Sequence, residues 1–408
     1  MRILQINNYH YLRGGSERVY LETSELLEKN GHKVIHFSVN DKDSLESPYK
    51  DYFIEPVHYL KNNLFHKLKN TGKFIYSFDA EKRLKRLIQN ERPDIAHLHI
   101  FYGRLTSSVL RVLKRHKIPT IMTVHEYKMV CPAYTFLNSA GMICEKCAHR
   151  NYLHFLLQRC NKKNVWYSFI AALECSVRDI IFPYEKYIDK FIMVSKFVQG
   201  KYLHYRPYLS TKAVQIYNFI NTNTLKPNCL QGDYYLYFGR LSSEKGLLSL
   251  LKAWKYFPHI PLKIVGDGIF ENEILRFIRM NDVKNVELLG FLAGNELSHV
   301  IRNCKFTLVP SEWYETFGLN IIESFACGKP VIASKIGAIP ELVQDTINGF
   351  LFESQNVESL VNTIQRAENI SHEEYRTLSN NCRRFIEVSF SEEVYYKKLM
   401  QVYSEVLL

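Results

Sequence analysis

The run RILQINNYHYLRGGSERVYLETSELLEKNGHKVIHFSV, residues 2–39, constrains the fold more than any other feature of the chain. RILQINNY is apolar enough for a buried strand, and HYLRGG is a loop. The next segment sets Val19, Leu21, Leu26 and Leu27 at helical spacing and stops near Gly31, before the second strand KVIHFSV. A strand, a glycine turn, a helix and another strand form a βαβ unit, whose two strands must run parallel because the helix returns the chain to the same edge. The alternation continues with strand candidates at 94–100, 119–125 and 190–195, separated by basic helical stretches such as SSVLRVLKRHK. After AVQIYNFIN (213–221) the chain turns polar. A second series then follows at 234–239, 262–268, 286–291, 305–311, 330–334 and 349–352.

This pattern predicts an α/β chain of two Rossmann-like domains, 1–212 and 233–390, joined by a linker at 213–232. The amphipathic stretch 391–408 is expected to cross back to the first domain. Ligands of such sheets lie at the carboxyl ends of the strands, so two such domains facing each other are expected to enclose a cleft. A length of 408 residues suits two domains. No run of about 18 uncharged apolar residues occurs and no leader pattern opens the chain, so a cytoplasmic location is expected. Nine cysteines, an odd number, speak for reduced thiols rather than a disulfide framework. Charge is divided unevenly. Residues 1–212 hold 34 Lys and Arg against 19 Asp and Glu, and the remainder holds 19 against 22. The first half is therefore expected to face an anionic partner, such as phospholipid headgroups, a lipid-linked phosphate or a nucleic acid.

The segment SEWYETFGLNIIESFACGKPVIAS (311–334) carries the strongest chemical signal. A strand delivers the loop EWYET, and a helix starts at Gly318. Free N–H groups near Phe317, Gly318, Leu319 and Asn320, at the positive end of the helix dipole, suit a phosphate. Glu315 in the loop and Glu323 inside the helix would flank that phosphate, each able to accept from hydroxyls. A nucleotide sugar has this layout: sugar hydroxyls, diphosphate, ribose hydroxyls. YFGRLSSEKG (237–246) adds Arg240 and Lys245 after a strand, two cations that could neutralise a diphosphate leaving group. In LRGGSER, Gly14 and Gly15 would let the first strand-to-helix turn approach a ligand closely. The G-x-G-x-x-G fingerprint is absent, which disfavours NAD. In TVHEY, His125 ends a strand and could bond a sugar hydroxyl, whereas His97 and His99 read as structural.

Taken together, GG near the start, TVHEY, FGRLSSEKG, VGDG and EWYETFGLNIIESFACGKPVIAS with GAIPELV and NGFLF resemble the retaining glycosyltransferases of family 4, of the GT-B fold. The resemblance spans nearly the whole chain, and the two glutamates with their flanks are its most specific part. It implies transfer from a UDP- or GDP-sugar with retention, without metal or other cofactor, to a glycan or lipid-linked glycan acceptor in bacterial surface polysaccharide synthesis. By position, Arg240 and Lys245 resemble the diphosphate clamp and Glu323 the ribose carboxylate. Glu315 resembles the carboxylate near the donor sugar, Gly15 the loop glycine beside the phosphates, and His125 the histidine near the sugar. The backbone of Gly318 to Asn320 would hold phosphate and sugar oxygens.

Cys131, Cys144, Cys147 and Cys160 contain one C-x2-C pair; the spacing admits a structural zinc, with free thiols in a surface insertion the favoured reading. The aromatic and basic stretch that follows suits a membrane interface, or else an amphipathic core helix. Two alternatives stand beside this reading. One is a GT-B-fold sugar-nucleotide epimerase or phosphorylase; a phosphorylase would carry a lysine for pyridoxal phosphate in a recognisable setting, which the sequence lacks. The other is a basic nucleic-acid-binding protein with a cysteine-based zinc site, in which Glu315 and Glu323 would be idle or repulsive.

Overall fold

The computed structural model describes residues 1–56, 71–222 and 225–408. It divides into two compact units, Met1–Ile216 with Tyr396–Leu408, and Tyr217–Tyr395.

The first unit is built on strands β1 (Arg2–Tyr9), β2 (Lys33–Val39), β3 (Ile95–Leu98), β4 (Thr120–Val124), β5 (Lys190–Met193) and β6 (Ala213–Gln215). They form one sheet in the order β2-β1-β3-β4-β5-β6, with every pair parallel. β3 and β4 are buried along their whole length, the pattern of a parallel sheet covered on both faces. The helices of this unit are α1 (Gly15–Lys29), α2 (Phe78–Glu91), α3 (Ser108–Arg115), α4 (Leu153–Leu157), α5 (Val165–Ile181) and α6 (Lys196–Tyr205). In α3, Val109, Leu110, Val112 and Leu113 are buried, while Lys114 and Arg115 close the helix where its dipole favours cations.

The second unit repeats the plan with β7 (Tyr235–Phe238), β8 (Leu262–Val265), β9 (Val286–Gly290), β10 (Thr307–Val309), β11 (Val331–Ser334) and β12 (Gly349–Phe352), ordered β12-β11-β10-β7-β8-β9 and again parallel. Its helices are α7 (Leu247–Trp254), α8 (Glu271–Met280), α9 (Gly294–Asn303), α10 (Leu319–Ala326), α11 (Ile339–Leu342), α12 (Val357–Glu368) and α13 (His372–Ser389), followed by α14 (Glu392–Leu407). Tyr235, Trp254, Phe306 and Tyr375 anchor its core.

Both sheets are the Rossmann-like α/β arrangement that the alternation predicts. Strand order reverses between β1 and β3 in the first sheet and between β10 and β7 in the second, and the crevice at such a reversal is where open α/β sheets bind ligands. One segment differs from the sequence expectation. Residues 213–215, placed there at the start of the linker, are the edge strand β6. Three half-buried residues are too few for a period to register. Residues 223 and 224 of the expected linker lie outside the described residues. The last helix contributes to the first unit from Tyr396 onward, where the Tyr403 hydroxyl meets His97 Nδ1 at 2.9 Å. No described helix is long and apolar enough to cross a membrane.

Candidate active site

In the second unit, the loops leaving β7 and β10 meet at the strand-order reversal. Gly246, at φ +70°, lets them touch: a Cβ there would lie 1.8 Å from the Pro310 carbonyl oxygen. The Glu312 amide donates to the Glu244 carbonyl at 2.8 Å, fixing the two loops backbone to backbone. This contact brings together residues seventy positions apart. Lys245 Nζ donates to Glu315 Oε1 at 2.5 Å, and the Ser311 hydroxyl donates to the same oxygen at 2.6 Å. The ammonium also lies 5.3 Å from the centre of the Trp313 ring.

Glu315 is only 6% exposed. Burial alone would push its carboxyl pKa up, but the Lys245 charge and the hydrogen bonds from Lys245 and Ser311 outweigh it and hold the group below the usual range. It is a buried carboxylate kept ionised. Arg240, also on the β7 loop, is largely exposed and donates to Glu244 Oε1 at 2.8 Å and to Ser242 Oγ at 3.3 Å.

Three residues after Glu315 the chain turns at Gly318, whose φ of +125° precedes α10. That helix has no side-chain cap. The amides of Ile321 and Ile322 already point back to the Gly318 carbonyl, so the amides before them belong to the unpaired first turn. Phe317 is buried with its ring against Tyr217 and Phe390, which leaves only its backbone for a ligand; Leu319 and Asn320 are half-buried. Glu323, half-buried, lies one turn into α10. Gly337, at φ +60°, backs the loop: a Cβ there would meet the Glu315 amide nitrogen at 2.4 Å, and the Ala338 amide donates to the Glu315 carbonyl at 2.9 Å. Two cations, an ionised carboxylate and an uncapped helix start are therefore gathered at the carboxyl end of one sheet, a setting that favours a diphosphate.

In the first unit, Gly15 is the exposed first residue of α1 and Gly14 its cap. Gly14 is extended, and a Cβ there would make only an ordinary 3.4 Å contact with Glu17, so packing within the unit does not require a glycine. His125 follows β4. Its Nε2 is 2.9 Å from His99 Nδ1, and His99 Nε2 is 2.9 Å from Gln5 Oε1. Burial pushes the His125 pKa down to about 3 and that of His99 well below its ordinary value, so both rings are neutral at pH 7. With the Gln5 oxygen accepting from His99 Nε2–H, His99 Nδ1 accepts from His125 Nε2–H. The second ring nitrogen of His125, Nδ1, is then left as an acceptor for a hydroxyl.

The thiols of Cys131, Cys144, Cys147 and Cys160 are free. Among the described residues no group of three or more His, Cys, Asp or Glu side chains is placed to hold a metal ion. Cys147 packs with Tyr152, Phe155, Ala171 and Ala172, with Cys160 against the same cluster. Burial first, and then the neighbouring thiols of Cys131, Cys144 and Cys160, push the Cys147 thiol up to about 12, and burial with Cys131 and Cys144 pushes that of Cys160 up to about 11, so the four cysteines stand near one another.

Sequence reasoning did not find Ser311, Trp313 and Gly337 in the second unit, nor Gln5 and the active part played by His99 in the first. GAIPELV carried a glycine signal. The partners of Glu315 carried none, because pairing at that distance is set by strand order.

Residues 13–224 match the family model described as Glycosyltransferase Family 4, and residues 228–385 match Glycosyl transferases group 1. A protein of Methanocaldococcus jannaschii described as an uncharacterized glycosyltransferase is 30% identical over 99% of this chain and 98% of its own length. The Escherichia coli UDP-Gal:alpha-D-GlcNAc-diphosphoundecaprenol alpha-1,3-galactosyltransferase is 29% identical over 42% of this chain and 45% of its own. Among solved structures, a glycosyltransferase from Rickettsia africae superposes with a TM-score of 0.71 at 21% identity, covering 100% of this chain and 98% of that one.

Proposed function

The chain belongs to the glycosyltransferases of family 4, with the GT-B fold and a group 1 second half, and on that premise we propose that it transfers a sugar with retention from a nucleoside diphosphate sugar to a glycan acceptor during assembly of a surface polysaccharide. A UDP-sugar is favoured over a GDP-sugar. The observation that carries the proposal is the Lys245–Glu315 pair beside the uncapped start of α10.

In this reading the diphosphate sits at the first turn of α10, with Arg240 and Lys245 taking the charge that grows on the leaving group. The backbone of Phe317 to Asn320 offers N–H donors to phosphate and sugar oxygens. Glu323 faces the ribose hydroxyls and Glu315 the sugar. The departing phosphate oxygen accepts the proton of the incoming hydroxyl on the same face of the sugar, which requires no protein nucleophile. In the first unit, Gly15 leaves room for close approach of a phosphate, and His125 offers Nδ1 to a sugar hydroxyl.

The name of the Escherichia coli relative, with its UDP-linked donor and diphosphate-lipid acceptor, supports a UDP-sugar and a lipid-linked acceptor here. A peripheral position on the cytoplasmic face of a membrane fits the same reading. Residues 146–173 hold five Lys and Arg and no Asp or Glu, and they expose Leu153, Leu157, Val165, Trp166 and Phe169 on α4 and α5.

Thermal unfolding with a panel of UDP- and GDP-sugars and no added metal tests the proposal. A donor at a hundred times its Kd should stabilise the chain by about 2.7 kcal/mol. Glu323→Ala should abolish most of that shift. A panel in which no nucleotide sugar raises the unfolding temperature, or a shift indifferent to Glu323→Ala and Lys245→Ala, would overturn the donor assignment.

A further inference from the structure

A second group of cations stands in the first unit, and the donor reading makes no use of it. Arg13 lies in the loop after β1 and Arg104 in the loop after β3, the two strands that flank the order reversal of the first sheet. Both guanidinium groups rest on the ring of Tyr9, their central carbons 4.3 Å and 4.8 Å from its centroid. The two carbons are thus at most 9.1 Å apart, the sum of those distances. Among the described residues neither guanidinium is ion-paired with a carboxylate. Asp41, which together with both arginines acts electrostatically on Tyr11, is the acid facing the group from the β2 side. Its Oδ1 already accepts from the Lys42 amide.

Two buried asparagines fix the end of β1, which carries Tyr9, and the β3 loop, which carries Arg104. Asn8 donates through Nδ2 to the Tyr102 carbonyl at 2.8 Å and accepts through Oδ1 from the Leu105 amide at 3.3 Å, so it brackets Arg104. Asn7 accepts from the Ile100 amide at 3.0 Å and donates to the Tyr9 carbonyl at 2.8 Å. Asn7 is fully buried and Asn8 nearly so. Their hydrogen bonds lock the β3 loop to the end of β1 and present both arginines on one ring. Two like charges held together repel, and a cation–π contact at an exposed site returns only about 0.5–1 kcal/mol each. An anion between them would satisfy both. The planar forks of two arginines match phosphate oxygens through N–H···O bonds of about 2.7–2.9 Å.

We propose that Arg13 and Arg104, set on Tyr9, form a binding site of the first unit for a phosphate or diphosphate group carried by the acceptor. The proposal names the acceptor chemistry within the glycosyltransferase reading and rests on that reading. The same group could come from the donor, and the test separates the two sources.

Inorganic pyrophosphate is titrated into the intact chain by calorimetry at low salt, with and without saturating UDP. With UDP present one pyrophosphate site should remain. Arg13→Ala or Arg104→Ala should weaken it tenfold or more and the Arg→Lys variants less, with UDP affinity and unfolding temperature unchanged. Lys245→Ala should weaken UDP and leave this pyrophosphate site intact. Complete displacement of pyrophosphate by UDP would assign the anion to the donor and overturn the proposal, as would arginine variants that bind within twofold of the wild type. A chain that fails to bind UDP but keeps the arginine-dependent pyrophosphate site would refute the donor assignment and leave this one standing.

Discussion

Replacing Lys245 with alanine should separate what the Lys245–Glu315 pair does for the fold from what it does for the chemistry. In the native chain Glu315 is buried and ionised, held so chiefly by the Lys245 charge. Lys245→Ala leaves the buried carboxylate without its cation, with the Ser311 hydroxyl still donating to it. Breaking a buried ion pair by removing one partner costs about 3–5 kcal/mol. The lysine side chain is 20% exposed, which places this case near 3 kcal/mol, at the lower end of that range. The pH dependence gives the sign. A carboxyl with its folded pKa below the unfolded value stabilises the native state above the unfolded pKa, about 4.3, and loses that contribution as pH falls through the folded value. In the variant the folded pKa rises instead, so the deficit should be largest at neutral pH and shrink toward pH 5. Urea unfolding of wild type, Lys245→Ala, Glu315→Gln and the double variant at pH 7.5 and 5 measures this. The double variant should regain stability to within about 1 kcal/mol of wild type, because no unpaired charge stays buried. Turnover should not return. Loss of a charge-stabilising donor costs about a hundredfold or more, and restoring the fold does not restore that donor. A Lys245→Ala deficit under about 1 kcal/mol that is flat with pH would refute the buried pair, and near-normal turnover in Lys245→Ala and Arg240→Ala would refute the clamp.

Three further outcomes follow from the same geometry. Burial holds His97 near a pKa of about 3 and His10 near about 4. The unfolded chain takes up those protons below about pH 6.5, so acidification to pH 5 should cost about 2 kcal/mol for each. Chemical unfolding that is indifferent to pH between 7 and 5 would contradict this. Gly337→Ala drives a Cβ into the Glu315 backbone at a positive φ, and should cost about 1–3 kcal/mol in unfolding free energy and lower kcat. Wild-type kcat in that variant would show that the loop does not depend on this contact. Vesicles of brominated anionic lipid should quench Trp166 fluorescence at low salt, and Lys162→Glu with Lys163→Glu should reverse it. Quenching absent at low salt, or unchanged in the variant, removes the membrane surface.

What was legible in the sequence was whatever repeats over a few residues. Buried strands such as IAHL and TIMTV show as apolar runs, and glycine stops mark the turns, so strands β1–β5 and β7–β12 fall where the alternation puts them. β6 has three residues, and its hydrogen bonds to β5 are what make it a strand. Glu315 was visible as a carboxylate near a helix start. Its dependence on Lys245 was not, because only the adjacency of β7 and β10 brings the two together. His99 read as structural from its burial-type setting. It is buried, yet it also orients His125, a role that only the hydrogen bonds through Gln5 reveal.

The pairing of Lys245 with Glu315 also bears on how the proposed reaction would develop charge. A glycosyl transition state carries positive charge on the sugar and negative charge on the departing diphosphate. A carboxylate beside the sugar helps only while it is an anion, and burial alone would neutralise Glu315. Lys245 prevents that. The same ammonium is offered to the diphosphate, so it can hold the two anions while the cation forms near Glu315. This explains why the carboxylate is buried rather than exposed: away from water its charge is screened less, and its attraction for a forming cation is greater. Glu315→Gln keeps the shape and the Ser311 contact but removes the anion. In the proposed mechanism it should therefore lower kcat about a hundredfold or more while leaving UDP affinity within a few-fold of wild type. If instead UDP affinity collapsed and kcat held, Glu315 would be a positioning group for the lysine, and the stabilisation of the sugar cation would have to come from the diphosphate alone.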